Sequence, residues 1–576
     1  MAISLLLSSA LAASALLIPA RAAAQQAQPA SASFVELQGG RACWQTLTLT
    51  FTARESTHEL LHAPGANPFL DRRLTVTFRH ALSGTERVVG GFFAADGDAA
   101  DTSASGGARW RARFCPELAG AWSWSAEFRR GAGIAIDREQ LGASADPRID
   151  GAFGTFHVAP ADPSAPGFER TGRLEYTGER YFRFAETGEP FLKNGAGGPE
   201  NLFGYYEFDG TNGDQQSLCL NAPENPEHLH RYAPHALDFL GDEVDLRHTW
   251  AGGKGTNILG MINYLASVGV NGFYSLANTY KGDGDDAWPW VAALDNAHFD
   301  VSKLEQWERL FAHLTQRGLL IQFVFEEQEN DQLTLAQGGL GLGLTNERKL
   351  FYRELVARFA HHPALIWIVG DESNYYDEPA TMQQLANEIH ALDPYDHPLT
   401  FHGKHPCSGG GCPQQIPTVY AQYLPYFGFT GIAATAFQTA PGGYSSSTAQ
   451  LVSGTSAHPW AIFGDEQSLN AVPSNRADNR KKALWGNLMA GGAGIAWYPG
   501  NNVASQYPPG VVMCDYYDLA IEDMRLLELY FLEGSYALSI FHAQLPFTEM
   551  QANNGLASPS GGQDYVFHRP RTSAPV

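Results

Sequence analysis

The sequence has little positive charge. Its 576 residues contain 38 lysines and arginines against 61 acidic residues, which gives a formal net charge of -23. Nucleic acids and anionic membrane surfaces attract basic patches, so this charge argues against both as partners. It leaves a neutral sugar open as a ligand, although many exported proteins are acidic for solubility alone.

Several motifs that accompany well-known chemistries are absent. There is no Gly-x-Ser-x-Gly elbow of a serine esterase. Cys-x-x-Cys spacings are also lacking, so the sequence predicts no metal site and no cofactor.

Long apolar runs are missing except at the amino terminus. Residues 3–20 are apolar and small, and three alanines end at Ala24, which predicts a signal peptide over residues 1–24. No basic residue precedes the run, and a membrane anchor is the less favoured alternative because the run is short. We therefore expect a secreted or periplasmic protein without a membrane partner.

Cysteines are few, and the six present fit an exported protein. Cys407 and Cys412 are spaced to close a tight loop, and Cys43 with Cys115 is a weaker candidate for a cross-link in the first domain. Connectivity cannot be read from sequence, so both pairings stay open.

At 44% hydrophobic and 17% charged the chain is globular. Its length predicts three or four domains, or fewer if one is a large barrel.

The first recognisable region after the amino terminus is rich in β-strand patterns. Between residues 33 and 160, apolar and polar residues alternate in short segments: 45–52, 74–78, 110–114, 122–126 and 154–158. This spacing predicts an immunoglobulin-like sandwich. Sugar binding by the sandwich is an alternative to a purely packing role.

From residue 171 to 541 the pattern changes to strands separated by amphipathic helices. Leu304, Trp307 and Leu314 recur at helical spacing, and a second helix is expected to end before Asp393. Eight strand–helix alternations predict a (β/α)8 TIM barrel, with an open doubly wound sheet as the alternative. The predicted strands are 190–194, 268–276, 319–325, 365–369, 398–402, 431–437, 460–463 and 494–497.

The chain after the barrel is short. Residues 516–541 read as a helix, and residues 542–576 form a tail that is too short for a domain. A truncated β-domain is the alternative interpretation of this tail.

Two acids stand where predicted strands end. Glu372 follows the apolar strand at 365–369, and Glu466 follows the strand at 460–463. One acid in such a place is more often a solvated residue or a helix cap. Two carboxylates delivered from two strands of a barrel are the equipment of a glycoside hydrolase.

Several segments together resemble a known family. They are residues 192–201, 229–235, 282–290, 299–304, 327–331, 352–355, 393–397 and 484–494. The chain resembles secreted bacterial glycoside-hydrolase-like proteins with an amino-terminal immunoglobulin-like domain of unknown function. Their barrel is similar to clan-A retaining hydrolases and to the apiosidase-like group. The resemblance covers most of the chain after the signal peptide.

The resemblance implies roles for the two acids. Glu372 would be the general acid/base and Glu466 the nucleophile. Asp371 stands where many clan members carry Asn, and Ser373 replaces another Asn. Retention would need the two carboxyl groups roughly 5–5.5 Å apart, with the pKa of one of them raised.

Other polar and aromatic residues at strand ends are expected to contact the substrate. They are Glu200, Asn201, Glu327, Glu329, Asp371, His402, Trp497 and Tyr498. For Glu327 and Glu329 the alternative is to orient the catalytic pair or to cap a helix. His402 lies near Lys404 and His405, which favours either an acidic sugar or a plain polar rim. The aspartates of residues 283–286 read as a solvated loop rather than a calcium site.

The sequence therefore predicts a retaining glycoside hydrolase that acts on a polysaccharide or oligosaccharide without a cofactor. The first alternative is a non-catalytic carbohydrate-binding protein on a barrel scaffold. A lyase with a Tyr or His base is a second.

Overall fold

The computed structural model describes residues 34–63, 65–211, 229–282, 287–373, 379–403, 434–437, 441–468, 479–498 and 523–543, and also 551–552 and 567–568. The predicted signal peptide, the Cys407–Cys412 loop and most of the predicted tail lie outside these ranges. The described residues from Phe34 onward belong to one compact unit. Within them, no helix has both the length and the apolar character needed to cross a membrane.

The amino-terminal part is a two-sheet β-sandwich. Its strands are β1 Val35–Gly39, β2 Leu47–His58, β3 Arg72–His80, β4 Glu86–Gly90, β5 Phe92–Phe93, β6 Gly106–Phe114, β7 Gly120–Arg130, β8 Ala143–Ser144 and β9 Phe153–Val158. One sheet has the order β1-β2-β6-β5, and the other has β4-β3-β7-β8 with β9 also paired to β7. All pairings within these two sheets are antiparallel. Four of the five alternating segments lie wholly within one of these strands, and the segment 45–52 lies in β2 from Leu47 onward, which confirms the predicted sandwich.

Aromatic rings from the two sheets meet in the sandwich core. Phe78 on β3 stacks on Phe114 on β6 at 4.1 Å, and Trp110 on β6 contacts Phe128 on β7 at 4.7 Å. Alternation with period two places these residues on the inner faces and leaves polar residues outside.

The Cys43–Cys115 cross-link considered from sequence is wrong. Both thiols are buried and free, and burial raises the pKa of each. Cys115 contacts the barrel through its backbone, whose N–H donates to the Tyr395 hydroxyl at 3.0 Å.

Eight parallel strands form a nearly closed barrel. They are β13 Lys193–Ala196, β14 Gly272–Leu276, β15 Leu320–Val324, β16 Leu365–Ile368, the split fifth strand β17 Leu399–Thr400 and β18 His402–Gly403, β19 Ala434–Phe437, β20 Ala461–Ser468 and β21 Gly494–Tyr498. The ring runs from β17 through β16, β15, β14, β13, β21, β20 and β19 to β18. Because β17 pairs with β16 and β18 pairs with β19, the fifth strand joins the two ends of this order.

A small antiparallel sheet precedes the barrel. Its strands are β10 Leu174–Glu175, β11 Phe182–Phe184 and β12 Pro190–Phe191. The rings of Phe182 and Phe191 lie 5.6 and 6.4 Å from that of Phe463 on β20. Leu174 and Tyr176 donate to carbonyls just before β16 and β20, so this sheet covers the amino-terminal end of the barrel.

Helices surround the barrel, with a few short ones beside the sandwich and at strand ends. They are α1 Ala99–Thr102, α2 Phe168–Thr171, α3 Glu243–His248, α4 Thr256–Ser267, α5 Val301–Arg317, α6 Gln328–Asp331, α7 Asn346–Phe359, α8 Pro379–Leu392, α9 Tyr444–Gly454, α10 Trp485–Met489 and α11 Glu528–Ala543. The apolar stripe of α5 is buried as predicted, and α8 ends before Asp393 as predicted.

The first barrel strand differs from its prediction over residues 190–194. Pro190–Phe191 pairs with β11, and the barrel strand begins only at Lys193. The apolar run is therefore divided between two sheets, and the periodicity of a run does not show which partner strand each residue takes.

A buried ion-pair network joins the sandwich to the barrel. Glu305 on α5 accepts from Arg111 and Arg113 of β6 at 3.0 and 2.7 Å, and from Arg358 of α7 at 3.3 Å. Arg358 also donates to the carbonyl of Phe93 on β5 at 2.9 Å. Three cations around one buried carboxylate make this contact specific to these two parts of the chain.

Candidate active site

Polar side chains gather at the carboxyl ends of the barrel strands. Glu200 follows β13, Glu327 follows β15, and Asp371 with Glu372 follows β16. His402 lies in the split fifth strand, on β18. The carboxyl end of the strands is where TIM-barrel enzymes carry their chemistry.

Asp371 is held by two side chains from other strands of the barrel. The Tyr274 hydroxyl of β14 donates to Oδ1 of Asp371, and Nδ1 of His402 makes a second short contact to the same oxygen. The backbone N–H of Asp371 donates to the carbonyl of Glu326 at 2.8 Å. These bonds fix the turn that carries Glu372.

Glu372 is half-buried and has a left-handed backbone, with φ of 50°. A non-glycine residue adopts this conformation at a cost of about 1–3 kcal/mol, and such residues concentrate at functional sites. The turn is tight as well, because a Cβ added at Gly370 would overlap the Ser373 hydroxyl. Glu372 is therefore presented on a strained and tightly packed turn.

Strand β20 carries the second acidic pair. Asp465 is fully buried and forms an ion pair with Lys193 of β13. Nε2 of Gln322 on β15 lies 3.5 Å from the other Asp465 oxygen. Burial lowers the pKa of Lys193, and the charge of Asp465 opposes that shift.

The backbone of Glu466 lies at an irregularity in β20. Gly464 pairs with Ile495 and Gln467 with Trp497, so β20 uses one more residue than β21 between these pairs. Such a bulge re-aims side chains and is frequent beside active sites. The side chain of Glu466 lies outside the described residues.

The pKa of His402 depends on the acidic side chains around it. It is fully buried, and burial works to lower its pKa. The charge and hydrogen bond of Asp371 outweigh burial and raise the pKa of His402 above its usual value. The negative charges of Asp465 and Glu372 raise this pKa further, so acids from β20 and from the end of β16 act on one imidazole.

The acids after β15 have structural bonds. Glu326 forms a two-point ion pair with Arg348 of α7, at 2.8 and 3.2 Å. Glu327 and Asn330 cap α6 reciprocally, which is the helix-capping role considered from sequence. Glu329 is half-buried on α6, where its Oε1 lies 3.5 Å from Nε2 of Gln328.

Glu200 and Asn201 are both buried after β13. Asn201 Oδ1 lies 2.8 Å from Nε2 of His230, and the carbonyl of Glu200 accepts from Leu276 at the end of β14. Their loop is thus tied to the second strand, beside the carboxyl end of the barrel.

Trp497 and Tyr498 of β21 differ in environment. The Trp497 indole is fully buried, donates to Oδ1 of Asn194 at 3.1 Å and lies 5.2 Å from the ring of Tyr530 on α11. Asn194 in turn donates to the carbonyl of Phe531 on α11. Trp497 therefore packs between the barrel and α11, whereas the half-buried Tyr498 ends the strand at the site.

Lys193, Tyr274, Gln322 and Arg348 were not predicted as site residues. A lysine within an apolar run is a detectable signal, because a buried charge needs a partner. The other three lie within a strand or a helix with no local feature that sets them apart. Their partners are at least 22 residues away in sequence, so only the fold reveals them.

Comparison with known protein families agrees with this architecture. Residues 286–512 match the apiosidase-like catalytic domain, and residues 41–129 match DUF5060, a domain of unknown function. The chain therefore contains regions similar to the two domains that its sequence resembled, an amino-terminal domain of unknown function and an apiosidase-like catalytic domain. No curated protein sequence matches the chain.

Comparison with solved structures finds glycoside hydrolases at low identity. A candidate glycoside hydrolase from Bacteroides vulgatus is 15% identical, with a TM-score of 0.50 over 83% of this chain and 74% of its own. A glycoside hydrolase of family 5 from the same organism is 14% identical, with a TM-score of 0.47 over 69% of this chain and 78% of its own. The first of these likenesses supports the barrel fold.

Proposed function

We propose that this chain, with its apiosidase-like catalytic domain, hydrolyses glycosidic bonds of a polysaccharide or oligosaccharide with retention of configuration. Glu372 is the general acid/base and Glu466 is the nucleophile. The observation that carries the proposal is the buried His402, on which the charges of Asp371, Glu372 and Asp465 act together. Acids from two separate strands therefore share one site.

The environment of each acid suits its role. Glu372 is half-buried on a strained turn that Asp371 anchors through Tyr274 and His402. The proposed role requires Glu372 to carry a proton for the leaving-group oxygen at the start of the reaction. Glu466 follows Asp465, whose bond to Lys193 holds the bulge of β20 in place.

The reaction has two steps. In the first, the Glu466 carboxylate attacks the anomeric carbon while Glu372 donates its proton to the departing oxygen, which gives a covalent glycosyl ester. In the second, Glu372 takes a proton from water, and the resulting attack breaks the ester and releases Glu466 as carboxylate. Double displacement restores the original anomeric configuration, and no cofactor takes part.

The test is a reducing-end assay on a polysaccharide panel with the wild type, Glu372→Gln and Glu466→Gln. Glu189→Gln is the matched control, because Glu189 is an exposed glutamate on the small sheet at the opposite end of the barrel. We expect each site variant to lose about 10²–10⁴-fold in kcat on the substrate that the wild type cleaves. Circular dichroism checks that all variants fold.

Activated aryl glycosides separate the two roles. A leaving group that needs no proton lets Glu372→Gln form the glycosyl ester, so its first step should be largely restored, whereas Glu466→Gln stays inactive. Equal activity of all four proteins would reject the site. Products of inverted configuration, followed by nuclear magnetic resonance, would reject double displacement. Sugar binding without turnover by the wild type would favour the non-catalytic carbohydrate-binding alternative.

We also propose that the protein acts outside the cytoplasm, because a glycosidase for polysaccharides meets its substrate there and residues 1–24 carry the pattern of a signal peptide. Cell fractionation with an antibody tests this. Recovery of the full-length chain from the cytoplasm alone would contradict export.

A further inference from the structure

A histidine–aspartate cluster lies where the sandwich meets a loop of the barrel. His62 follows β2, and Asp295 and His298 lie in the segment between β14 and α5. One ligand atom from each of these three side chains lies within 4.8 Å of the other two. Two imidazoles and one carboxylate from distant parts of the chain thus converge on one point.

The His298 ring is oriented as a metal ligand would be. Its Nδ1 faces the Asp295 carboxylate, at 2.8 and 2.9 Å from the two oxygens. On the other side, Nε2 lies 3.4 Å from the carbonyl of Leu61, which accepts its N–H when Nδ1 binds the metal. The Nδ2 of Asn67, 3.2 Å from Nε2, then donates to the carbonyl of Ala297 at 3.0 Å instead. Metal-binding histidines usually donate their second ring N–H to a carbonyl or a carboxylate in this way.

His62 supplies an adjustable third donor. Its side chain is exposed, and its ring centroid lies 4.1 Å from that of His298, at an interplanar angle of 67°. Tetrahedral ligands of Zn²⁺ are about 3.4 Å apart, given bond lengths of about 2.0–2.1 Å. The ligand atoms already lie within 4.8 Å of one another, the exposed His62 ring is free to rotate toward the shorter spacing, and solvent can complete the coordination.

A second cluster, formed by Glu308, His361 and His362, provides a contrast. The Glu308 carboxylate of this cluster is already paired with a cation, because Nη1 of Arg113 lies 3.5 Å from it. The positive charge of Arg113 would repel a metal ion. Both imidazoles are already bonded on each side, to Glu308 and to the hydroxyls of Thr46 and Thr315. That cluster is a satisfied structural network, whereas no arginine or lysine pairs with Asp295 among the described residues.

We propose that His62, Asp295 and His298 form a binding site for a divalent transition metal, with Zn²⁺ as the best match. Two imidazoles and one carboxylate are ligands that Zn²⁺ prefers, whereas Mg²⁺ and Ca²⁺ need oxygen ligands. The metal fastens the loop after β2 of the sandwich to the segment that follows the second barrel strand. Its role is structural, and the proposal does not depend on the proposed glycosidase activity.

The test is calorimetric titration of tag-free, EDTA-dialysed protein with ZnCl₂, beside thermal unfolding with and without the ion. His62→Ala is the informative variant, because an exposed side chain can be removed without disturbing the core. His390→Ala is the matched control, since His390 is a partly exposed histidine on α8 with its own aspartate, Asp396, at 3.6 Å. MgCl₂ replaces ZnCl₂ as the hard-cation control.

We expect wild type and His390→Ala to bind one Zn²⁺ and to gain thermal stability from it. His62→Ala should bind at least about tenfold more weakly and lose that gain. Asp295→Asn, which keeps the shape of the side chain, should weaken binding as well. Unchanged Zn²⁺ affinity in His62→Ala, or no Zn²⁺ binding by the wild type, would overturn the proposal.

Discussion

Lys193 and Asp465 form an ion pair inside the barrel, and neither side chain is exposed to solvent. They belong to the first and seventh strands, with the eighth strand between them. The Lys193 ammonium also lies 4.6 Å from the centroid of the Phe463 ring. The pair connects the interior of the barrel to the bulge that carries Glu466.

Lys193→Met should destabilise the protein by about 3–5 kcal/mol, because it leaves the Asp465 charge buried without its partner. Urea unfolding at neutral pH measures this change. The double variant Lys193→Met/Asp465→Leu removes both charges and should be more stable than the single variant. A single variant within about 1 kcal/mol of wild type would contradict the prediction.

The His402–Asp371 contact should make stability depend on pH. The pKa of His402 is raised in the folded state, so the stabilisation is fully present below the unfolded value of about 6.5 and is lost as pH rises through the folded value. Asp371→Asn removes the charge, and the gap in unfolding free energy between it and wild type should shrink with rising pH. Urea titrations from about pH 5.5 to 9 test this. A gap that is constant with pH would reject it.

Ionisation of Glu59 should destabilise the folded state as pH rises, whereas an acid with a lowered pKa stabilises it. Burial, followed by the charge of Asp300, raises the pKa of Glu59 to about 7. The folded state then binds more protons than the unfolded state between the two pKa values, so stability falls as pH rises through that window. Glu59→Gln keeps an acceptor for the N–H of Val301, now 3.1 Å from the carboxylate.

We therefore expect Glu59→Gln to be more stable than wild type at about pH 8, by up to about 2–3 kcal/mol, and to lose this advantage near pH 5. Urea unfolding at both pH values gives the comparison. Glu86→Gln serves as the control, since Glu86 is exposed and its pair with Arg79 contributes little. Equal stability of Glu59→Gln and wild type at the higher pH would contradict the expected sign.

Gly534 should be intolerant of a side chain. A Cβ added there would overlap the side-chain amide of Asn194, which ties β13 to α11. Gly534→Ala should therefore cost about 1–3 kcal/mol, despite the better helix propensity of Ala. Gly454→Ala on α9 meets open space and should be neutral or stabilising by up to about 1 kcal/mol. Thermal unfolding of the two variants decides, and equal melting temperatures would reject the steric argument.

Local pattern was enough to predict the sandwich and the barrel. Alternation of apolar residues over Leu47–His58 and the helical stripe of Val301–Arg317 each bury a defined face, whatever lies opposite. The apolar strand Leu365–Ile368 and the acids after it also follow from local sequence. These features depend on which residue types are neighbours in the chain.

Pairing between distant strands could not be predicted in the same way. Trp497 was expected at the site, but its neighbour Ala496 takes the inward position and the indole faces α11, because adjacent residues of a strand point to opposite sides. Lys193 and Asp465 are 272 residues apart, and His62 meets Asp295 only through the docking of the sandwich on the barrel. Register and docking determine such contacts, and no local period encodes them.

The arginine–glutamate network around Glu305 has a consequence for how this chain can change over generations. An exchange of the sandwich for that of a relative would leave the buried charges of Glu305 and Arg358 without Arg111 and Arg113 of β6. The two parts should therefore be exchanged only as a matched pair. A substitution on one side of the contact is expected to destabilise the chain unless a compensating substitution accompanies it on the other side.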